Sequence, residues 1–231
     1  MRKSLVIMLA IAGTLSNAAL AEDREAKVAD RLEASVDTLV DMSHADDKGI
    51  PQDLLENSHC VIVIPGMKKA GFIFGAKYGR GFASCRRPSN AGWSAPAAMR
   101  VEGGSVGFQI GASETDVVLL VMNDRGMKHL LSDKFTIGGD ATAAAGPVGR
   151  GATAQTDAMM HAEMLSYSRS RGVFGGIALS GATLRPDSSA NENLYGQKVS
   201  AEDIIAGKVQ MPAEAGQLIQ DLERGSQSAQ K

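Results

Sequence analysis

The sequence contains few aromatic residues, few cysteines and no long apolar segment. Aromatic residues make up 4% of the chain, and its two cysteines are not in a CxxC spacing. The apolar stretch at residues 5–15 is shorter than the roughly 20 residues that span a bilayer. Because metal sites need clustered ligands, we predict no metal site, and no motif indicates a cofactor.

Acidic residues are absent between Glu56 and Glu102, although most of the charged residues in 22–56 are acidic. The net charge of −2 therefore hides a strong segregation of charge along the chain. Such segregation indicates a binding face. The basic residues of the segment without carboxylates are Lys68, Lys69, Lys77, Arg80, Arg86, Arg87 and Arg100.

The first 21 residues have the pattern of a secretory signal peptide. A basic start is followed by the apolar stretch and by the small-residue site Ala19-Leu20-Ala21. We expect a periplasmic protein that begins at Glu22 and can associate with a membrane. An exported, acidic mature chain with few aromatic residues makes nucleic acid an improbable partner.

Apolar residues spaced by three and four predict an amphipathic helix within residues 24–43. Its polar face is acidic, whereas a helix that lies on anionic lipid is normally rich in Lys and Arg. We therefore expect the helix to pack onto the domain through Val28, Leu32, Val36 and Leu39. Pro51 is expected to open a second, short helix that ends near His59.

Short apolar segments separated by glycine predict a sheet. Asp124 is the expected cap of an intervening helix that runs to Leu131. Helices at both ends of the chain indicate an α+β fold, with a strongly curved or barrel-like, mainly antiparallel sheet. The predicted strands are Val61–Ile64, Gly71–Tyr78, Gly81–Arg86, Ala97–Val101, Ser105–Gly111, Val117–Met122, Phe135–Ala143, Ala162–Ser170 and Val173–Leu184. The predicted closing helices are Ala190–Tyr195, Ala201–Gly207 and Ala213–Arg224.

Cys60 and Cys85 flank the first and third predicted strands. In an oxidising compartment they can form a bridge, which would contribute roughly 3 kcal/mol on the chain-entropy model. Two separate buried thiols are the alternative, because the strand order does not follow from the sequence.

Catalytic and phosphate-binding motifs are weak. Residues 103–107 match G-x-S-x-G, but a nucleophile such as Ser105 must sit at a strand-to-helix turn, and here a strand is predicted to begin. The possible bases His129 and His161 each stand alone. The glycine-rich segment 146–151 lacks the lysine and hydroxyl residue of a P-loop, and Arg150 is its best anion ligand.

Five motifs occur in an order that resembles the SYLF domain family. They read IPGMKKAGFIFGAKYGRG, GWSAPA, GGSVGFQIGASETDVVLLVMN, GPVGR and YSRSRGVFGGIALSGA. The resemblance implies lipid binding, and eukaryotic members of the family also bind actin, a partner that an exported protein would not meet. It divides the chain into a signal peptide (1–21), an N-terminal amphipathic helix (22–49), the SYLF domain (50–210) and a C-terminal helix with a polar tail (211–231).

We therefore predict a lipid-binding protein without catalysis, whose basic face binds anionic phospholipid or a phosphoinositide-like head group. Two other functions stay open: a serine hydrolase that uses Ser105, and an envelope protein that binds a protein or glycan partner. A solvated basic rim that protects a strand edge is the structural alternative. The predicted lipid-binding residues are Lys68, Lys69, Lys77, Arg80, Arg86 and Arg87.

Overall fold

The structure is a computed structural model, and it describes residues 26–44, 49–71, 74–88, 91–106, 111–148, 161–170, 173–176, 179 and 181–227. The helices are α1 (26–43), α2 (Gln52–Asn57), α3 (Asp124–Leu130), α4 (Ser188–Tyr195), α5 (Ala201–Ile205) and α6 (Gly216–Gln227), with a 3-10 turn at Ala213–Ala215. The strands are β1 (Cys60–Gly71), β2 (Phe74–Cys85), β3 (Ala97–Val106), β4 (Gly111–Val121), β5 (Phe135–Thr136), β6 (Ala143–Ala145), β7 (Met164–Ser170), β8 (Val173–Gly176) and β9 (Thr183–Pro186).

The strands form one sheet in the order β5-β9-β3-β2-β1-β4-β7-β6, and β8 pairs with β7. All pairs are antiparallel except that of β6 with β7. Residues 164–166 of β7 pair with β6, whereas residues 167–170 pair with β8. The long strands β1 and β2 therefore lie at the centre of the sheet, and short strands lie at its two ends.

The sheet is curled, because residues from both of its ends share one core. Phe135 of β5 and Met164 of β7 belong to the same buried cluster, although they lie near opposite ends of the strand order. Ile137 and Ala141, in the connection from β5 to β6, form a parallel bridge. This curvature confirms the predicted α+β fold with a strongly curved, mainly antiparallel sheet.

Side chains of β1 alternate between two cores, as a pleated strand requires. Ile62 and Ile64 lie in the inner core, on the concave side of the sheet. Val61 and Val63 lie in the outer core, between the sheet and the helices.

Helix α1 packs onto this outer core through the four predicted residues. Val28, Leu32, Val36 and Leu39 are at most 7% exposed and belong to the same cluster as Val61 and Val63 of the sheet. The predicted packing of α1 is confirmed. Within the described residues, no helix combines the length and the apolar character needed to cross a membrane.

The predicted strands Gly71–Tyr78 and Gly81–Arg86 are wrong as separate elements, because β2 runs unbroken from Phe74 to Cys85. Glycine often marks a strand boundary, but here it permits close contact between strands. A Cβ on Gly81 would lie 1.8 Å from the carbonyl oxygen of Val63, inside the neighbouring strand. In the same way, Ala97–Val101 and the start of Ser105–Gly111 are one strand, β3.

Two predicted long strands are wrong for the opposite reason, since glycine does break them. Phe135–Ala143 contains β5 and then a turn at Gly138, where φ is 80°. Val173–Leu184 contains β8 and the start of β9, with Gly181 at φ 78° between them. These positive φ values favour glycine and interrupt extended pairing.

The predicted cap of α3 is also wrong by one residue. Asn123 occupies the cap, and its side-chain oxygen accepts a hydrogen bond from the backbone N–H of Gly126 at 2.9 Å. Asp124 lies instead in the first turn of α3, where a carboxylate is also favourable. Pro51 directly precedes α2, as predicted.

Candidate functional site

Cys60 and Cys85 form the predicted disulfide bond. They are directly paired across β1 and β2, and both side chains are buried. The bond joins the two strands at the end where β1 begins and β2 ends. The alternative of two separate thiols is thereby excluded.

The predicted strand Val61–Ile64 ends too early, because β1 continues through Pro65 and Gly66 with a bulge. The pairing register shifts between Ile64 and Met67, and Gly66 has φ 55°. A bulge of this kind admits an extra residue without ending the strand. Lys68 and Lys69 therefore lie within a strand and point to opposite faces of the sheet.

Lys69 is directly opposite Lys77 of β2. Both side chains are half-buried on the same face. Burial lowers the pKa of Lys77, and the charge of Lys69 lowers it further. Within the described part of the chain, neither ammonium group forms an ion pair. The fold therefore holds two like charges side by side, which destabilises a sheet.

Lys68 lies on the other face and is exposed. Its direct cross-strand neighbours are Tyr78 of β2 and Glu114 of β4. Tyr78 is itself 42% exposed, which is unusual for a large side chain in this structure. The hairpin formed by β1 and β2 thus carries lysine on both faces at the end away from the disulfide. We call the three residues Lys68, Lys69 and Lys77 the lysine end.

Arg80 has a partner within the protein. Its Nε lies 3.0 Å from Oδ2 of Asp187, a side chain that is only 1% exposed. Asp187 also caps α4, because its Oδ1 accepts from the backbone N–H of Ala190. Arg80 therefore neutralises a buried carboxylate that holds the start of α4.

Arg86 is also engaged within the protein. It donates from Nε to the carbonyl oxygen of Ser58 at 3.0 Å and from Nη2 to that of Leu55 at 3.3 Å. Its guanidinium lies 4.5 Å from the ring centroid of Trp93. Burial lowers the pKa of Arg86, against the opposing charge of Glu56. Arg86 therefore joins the end of β2 to the helix before β1.

Arg87 follows with an exposed side chain, and with Arg86 it lines a cavity of about 600 Å³. Apolar side chains from α3 and α5 form another part of the wall, among them Met127 and Ile205. This cavity is a place where a short apolar group can enter beside a guanidinium.

The predicted lipid-binding residues thus occupy three separate places. Lys77 and Arg86 are nine positions apart on an extended chain, which corresponds to about 30 Å. Arg80 lies between them on the face that carries the helices. The structure does not bring the six residues together as one basic face, and their contact with lipid stays a prediction.

Sequence reasoning missed two arginines that gather around Arg80 and Arg100. Arg185 of β9 is directly paired with Arg100, and Arg100 is directly paired with Arg80. Arg31 of α1 is close enough that the charge of Arg80 lowers its pKa, after the larger effect of burial. No sequence signal joins these residues, because only the strand register and helix packing bring them together.

The catalytic alternative is not supported by the backbone. Ser105 lies inside β3, opposite Gly75 of β2, and not at a strand-to-helix turn. His129 contacts Glu163 at 3.7 Å, and His161 is exposed. Arg150 lies outside the described residues. Within those residues, no group of three or more His, Cys, Asp or Glu side chains is arranged to hold a metal ion.

The fold and these cationic groups define a class, an α+β domain built on a curled sheet whose gathered cationic side chains suit the binding of a partner. Comparison with known families agrees with this class. Residues 102–225 match the Ysc84 family model, which is described as "Las17-binding protein actin regulator". The chain belongs to this family, whose domain is the SYLF domain.

Curated relatives place the same domain in longer proteins. The SH3 domain-containing YSC84-like protein 1 of Rattus norvegicus is 34% identical over 177 residues, which are 76% of this chain and 52% of the relative. The human protein of that name is 33% identical over 178 residues, or 77% and 52% of the two chains. LAS seventeen-binding protein 3 of Saccharomyces cerevisiae is 31% identical over 180 residues, or 77% and 39%. The chain thus spans about half the length of these relatives or less.

Proposed function

We propose that this chain is a lipid-binding domain of the exported, periplasmic type, which attaches to anionic phospholipid through its lysine end and performs no catalysis. The observation that carries the proposal is the cross-strand pair of Lys69 and Lys77. Arg80 and Arg86 already bind groups within the protein, whereas these two lysines have no ion-pair partner within the described residues.

An anion between the two ammonium groups would remove their mutual repulsion. It would also favour the protonated form of Lys77, whose pKa is lowered by burial and by Lys69. A basic side chain near an anionic membrane surface contributes about 1 kcal/mol. Loss of both Lys69 and Lys77 should therefore lower the affinity for anionic vesicles about 30-fold. Lys68 is a further contributor to this affinity.

Two features support export. The first 21 residues resemble a signal peptide, and the disulfide bond of Cys60 with Cys85 is of a kind that persists in oxidising compartments. Attachment to the periplasmic side of a membrane would then place the lysine end against phospholipid head groups.

A protein partner is the second candidate function. The family description names a Las17-binding protein, and one relative is named LAS seventeen-binding protein 3. An exported chain would need another partner, with an acidic surface that fits the same lysine end.

The test is sedimentation of the protein from Glu22 onwards with vesicles of phosphatidylcholine, with and without phosphatidylglycerol, at low and at physiological salt. We expect binding that requires phosphatidylglycerol and weakens with salt. The double variant Lys69→Gln/Lys77→Gln should bind about 30-fold more weakly. Lys128→Gln/Lys134→Gln is the matched control, because it removes two exposed lysines elsewhere on the surface.

Binding that is equal for the double variant and the wild type would contradict the proposal. Absence of binding to every vesicle would also contradict it and favour the protein partner, which chemical crosslinking in the periplasm would recover. Ester hydrolysis that disappears in Ser105→Ala would establish the catalytic alternative instead.

A further inference from the structure

Three arginines stand in a row across three neighbouring strands. Arg80 of β2 is directly paired with Arg100 of β3, and Arg100 with Arg185 of β9. Directly paired residues share one face of a sheet, with Cβ atoms about 5 Å apart. Their side chains are 37%, 28% and 37% exposed, so that each guanidinium is partly within reach of solvent. We call these residues the arginine row.

The carboxylates around the arginine row do not balance its charge. Glu102 bonds Arg185 at 2.6 Å and lies 3.3 Å from Nε of Arg100. The buried Asp187 lies 3.0 Å from Nε of Arg80 and is shared with the start of α4.

Arg31 of α1 adds a fourth guanidinium beside Arg80 and Asp187. Among the described residues, four positive charges therefore face the two carboxylates Glu102 and Asp187, which leaves a local excess of two.

The hydrogen bonding of the row is also incomplete. The Nε atoms of Arg80, Arg100 and Arg185 are buried and make no hydrogen bond of acceptable geometry with any described residue. The ion-pair contacts of Arg80 and Arg100 are thus close but poorly aligned. Buried polar groups are normally hydrogen-bonded, and a site with unused donors can gain from a ligand that lets the side chains realign.

Neighbouring elements border the arginine row on the outer face of the sheet. Arg31 stands on α1, and Asp187 begins α4, so that helices border the row on the outer face of the sheet. Tyr78 lies beside it, with its ring centroid 5.8 Å from Cζ of Arg80. Arginine suits planar, bidentate recognition of phosphate oxygens, and a phosphomonoester carries nearly two negative charges at neutral pH.

We propose that the arginine row, together with Arg31, binds a phosphomonoester group. The site lies on the opposite face from the pair of Lys69 and Lys77 and does not rest on the lipid function proposed above. The phosphomonoester can belong to a soluble molecule or to a lipid head group such as that of phosphatidic acid.

Calorimetry with glycerol phosphate tests the soluble source, and vesicles containing phosphatidic acid test the lipid source. Vesicles with phosphatidylglycerol at equal surface charge serve as the control, since their phosphate is a diester. We expect saturable binding of glycerol phosphate, or preference for phosphatidic acid over phosphatidylglycerol. Absence of both would overturn the proposal.

Three variants separate this site from general charge attraction. Arg100→Gln should weaken phosphomonoester binding by about tenfold or more, because it removes a charged donor. Glu102→Gln removes a competing carboxylate and should tighten binding severalfold, a gain that a merely structural residue would not produce. The pair Lys128→Gln/Lys134→Gln removes two exposed lysines elsewhere on the surface and should leave glycerol phosphate binding unchanged. Weaker binding in Glu102→Gln, or unchanged binding in Arg100→Gln, would overturn the proposal.

Discussion

Reduction of the Cys60–Cys85 bond should lower the free energy of unfolding by about 3.5 kcal/mol. The bond closes a loop with a sequence separation of 25 residues. On the chain-entropy model, closing a loop of that length lowers the conformational entropy of the unfolded chain and so destabilises the unfolded state by about this free energy. In the native state the two residues are already held by strand pairing, Cys60 with both β2 and β4. The effect should therefore arise mainly in the unfolded state.

Urea unfolding of the oxidised and the reduced protein, followed by circular dichroism, measures this difference. Typical domains are stable by 5 to 15 kcal/mol, roughly, so the reduced protein should stay folded but with a smaller margin. The denaturant slope should also rise on reduction, because the unfolded chain becomes less compact. The variant Cys60→Ala/Cys85→Ala is the control, since reductant should leave its unfolding curve unchanged.

Equal free energies of unfolding for the two forms would refute this reasoning, provided that thiol titration proves reduction. Such a result would mean that the β1–β2 hairpin persists in the unfolded chain, so that the bond restricts little. Retention of the bond under native reducing conditions is expected, because Cys60 and Cys85 are at most 1% exposed.

Three further predictions concern single side chains. Asp187→Asn keeps the helix cap but leaves Arg80 without its carboxylate. We expect the free energy of unfolding, measured in urea, to fall by about 1–2 kcal/mol. This loss is smaller than that for a fully buried pair, because Arg80 is partly exposed. Gly81→Ala places a methyl group against the carbonyl of Val63 and should destabilise the protein by about 3 kcal/mol or prevent folding. An unchanged thermal unfolding curve would disprove the close contact. Because the pKa of Lys77 is lowered, the unfolded chain holds its proton to higher pH than the folded protein does. Raising the pH through that window should therefore increase the free energy of unfolding and weaken vesicle binding, and Lys77→Gln should remove this component of both pH profiles.

The parts of the fold that local periodicity determines were predictable from the sequence. Helix α1 follows from the spacing of its apolar residues, and α2 from Pro51 and the two leucines that follow it. The sheet was predicted with too many elements, because the sequence does not show whether a glycine marks a turn or a close contact. Gly81 fills a place where another strand leaves no room, whereas Gly138 makes a real turn.

The candidate sites were predictable only in part, for a related reason. The run without carboxylates drew attention to Lys69 and Lys77, but which lysines become neighbours depends on the bulge near Gly66. The arginine row depends on the register of three strands that are distant in sequence, so composition alone gives no sign of it. Sequence reasoning therefore found the charged segment, whereas only the fold shows which charged side chains come together to form a site.

The short strands at the ends of the sheet affect how the domain can be used in larger proteins. β5 has two residues and β6 has three, and the chain passes directly from one to the other. Long open edges invite pairing with strands of other molecules, and short edges present few free backbone groups for it. Among the described strands, the long ones all lie inside the sheet, where neighbours occupy them. A domain with short edge strands can lie next to other domains of the same protein without pairing its strands with theirs. Relatives of which this domain forms about half require such behaviour.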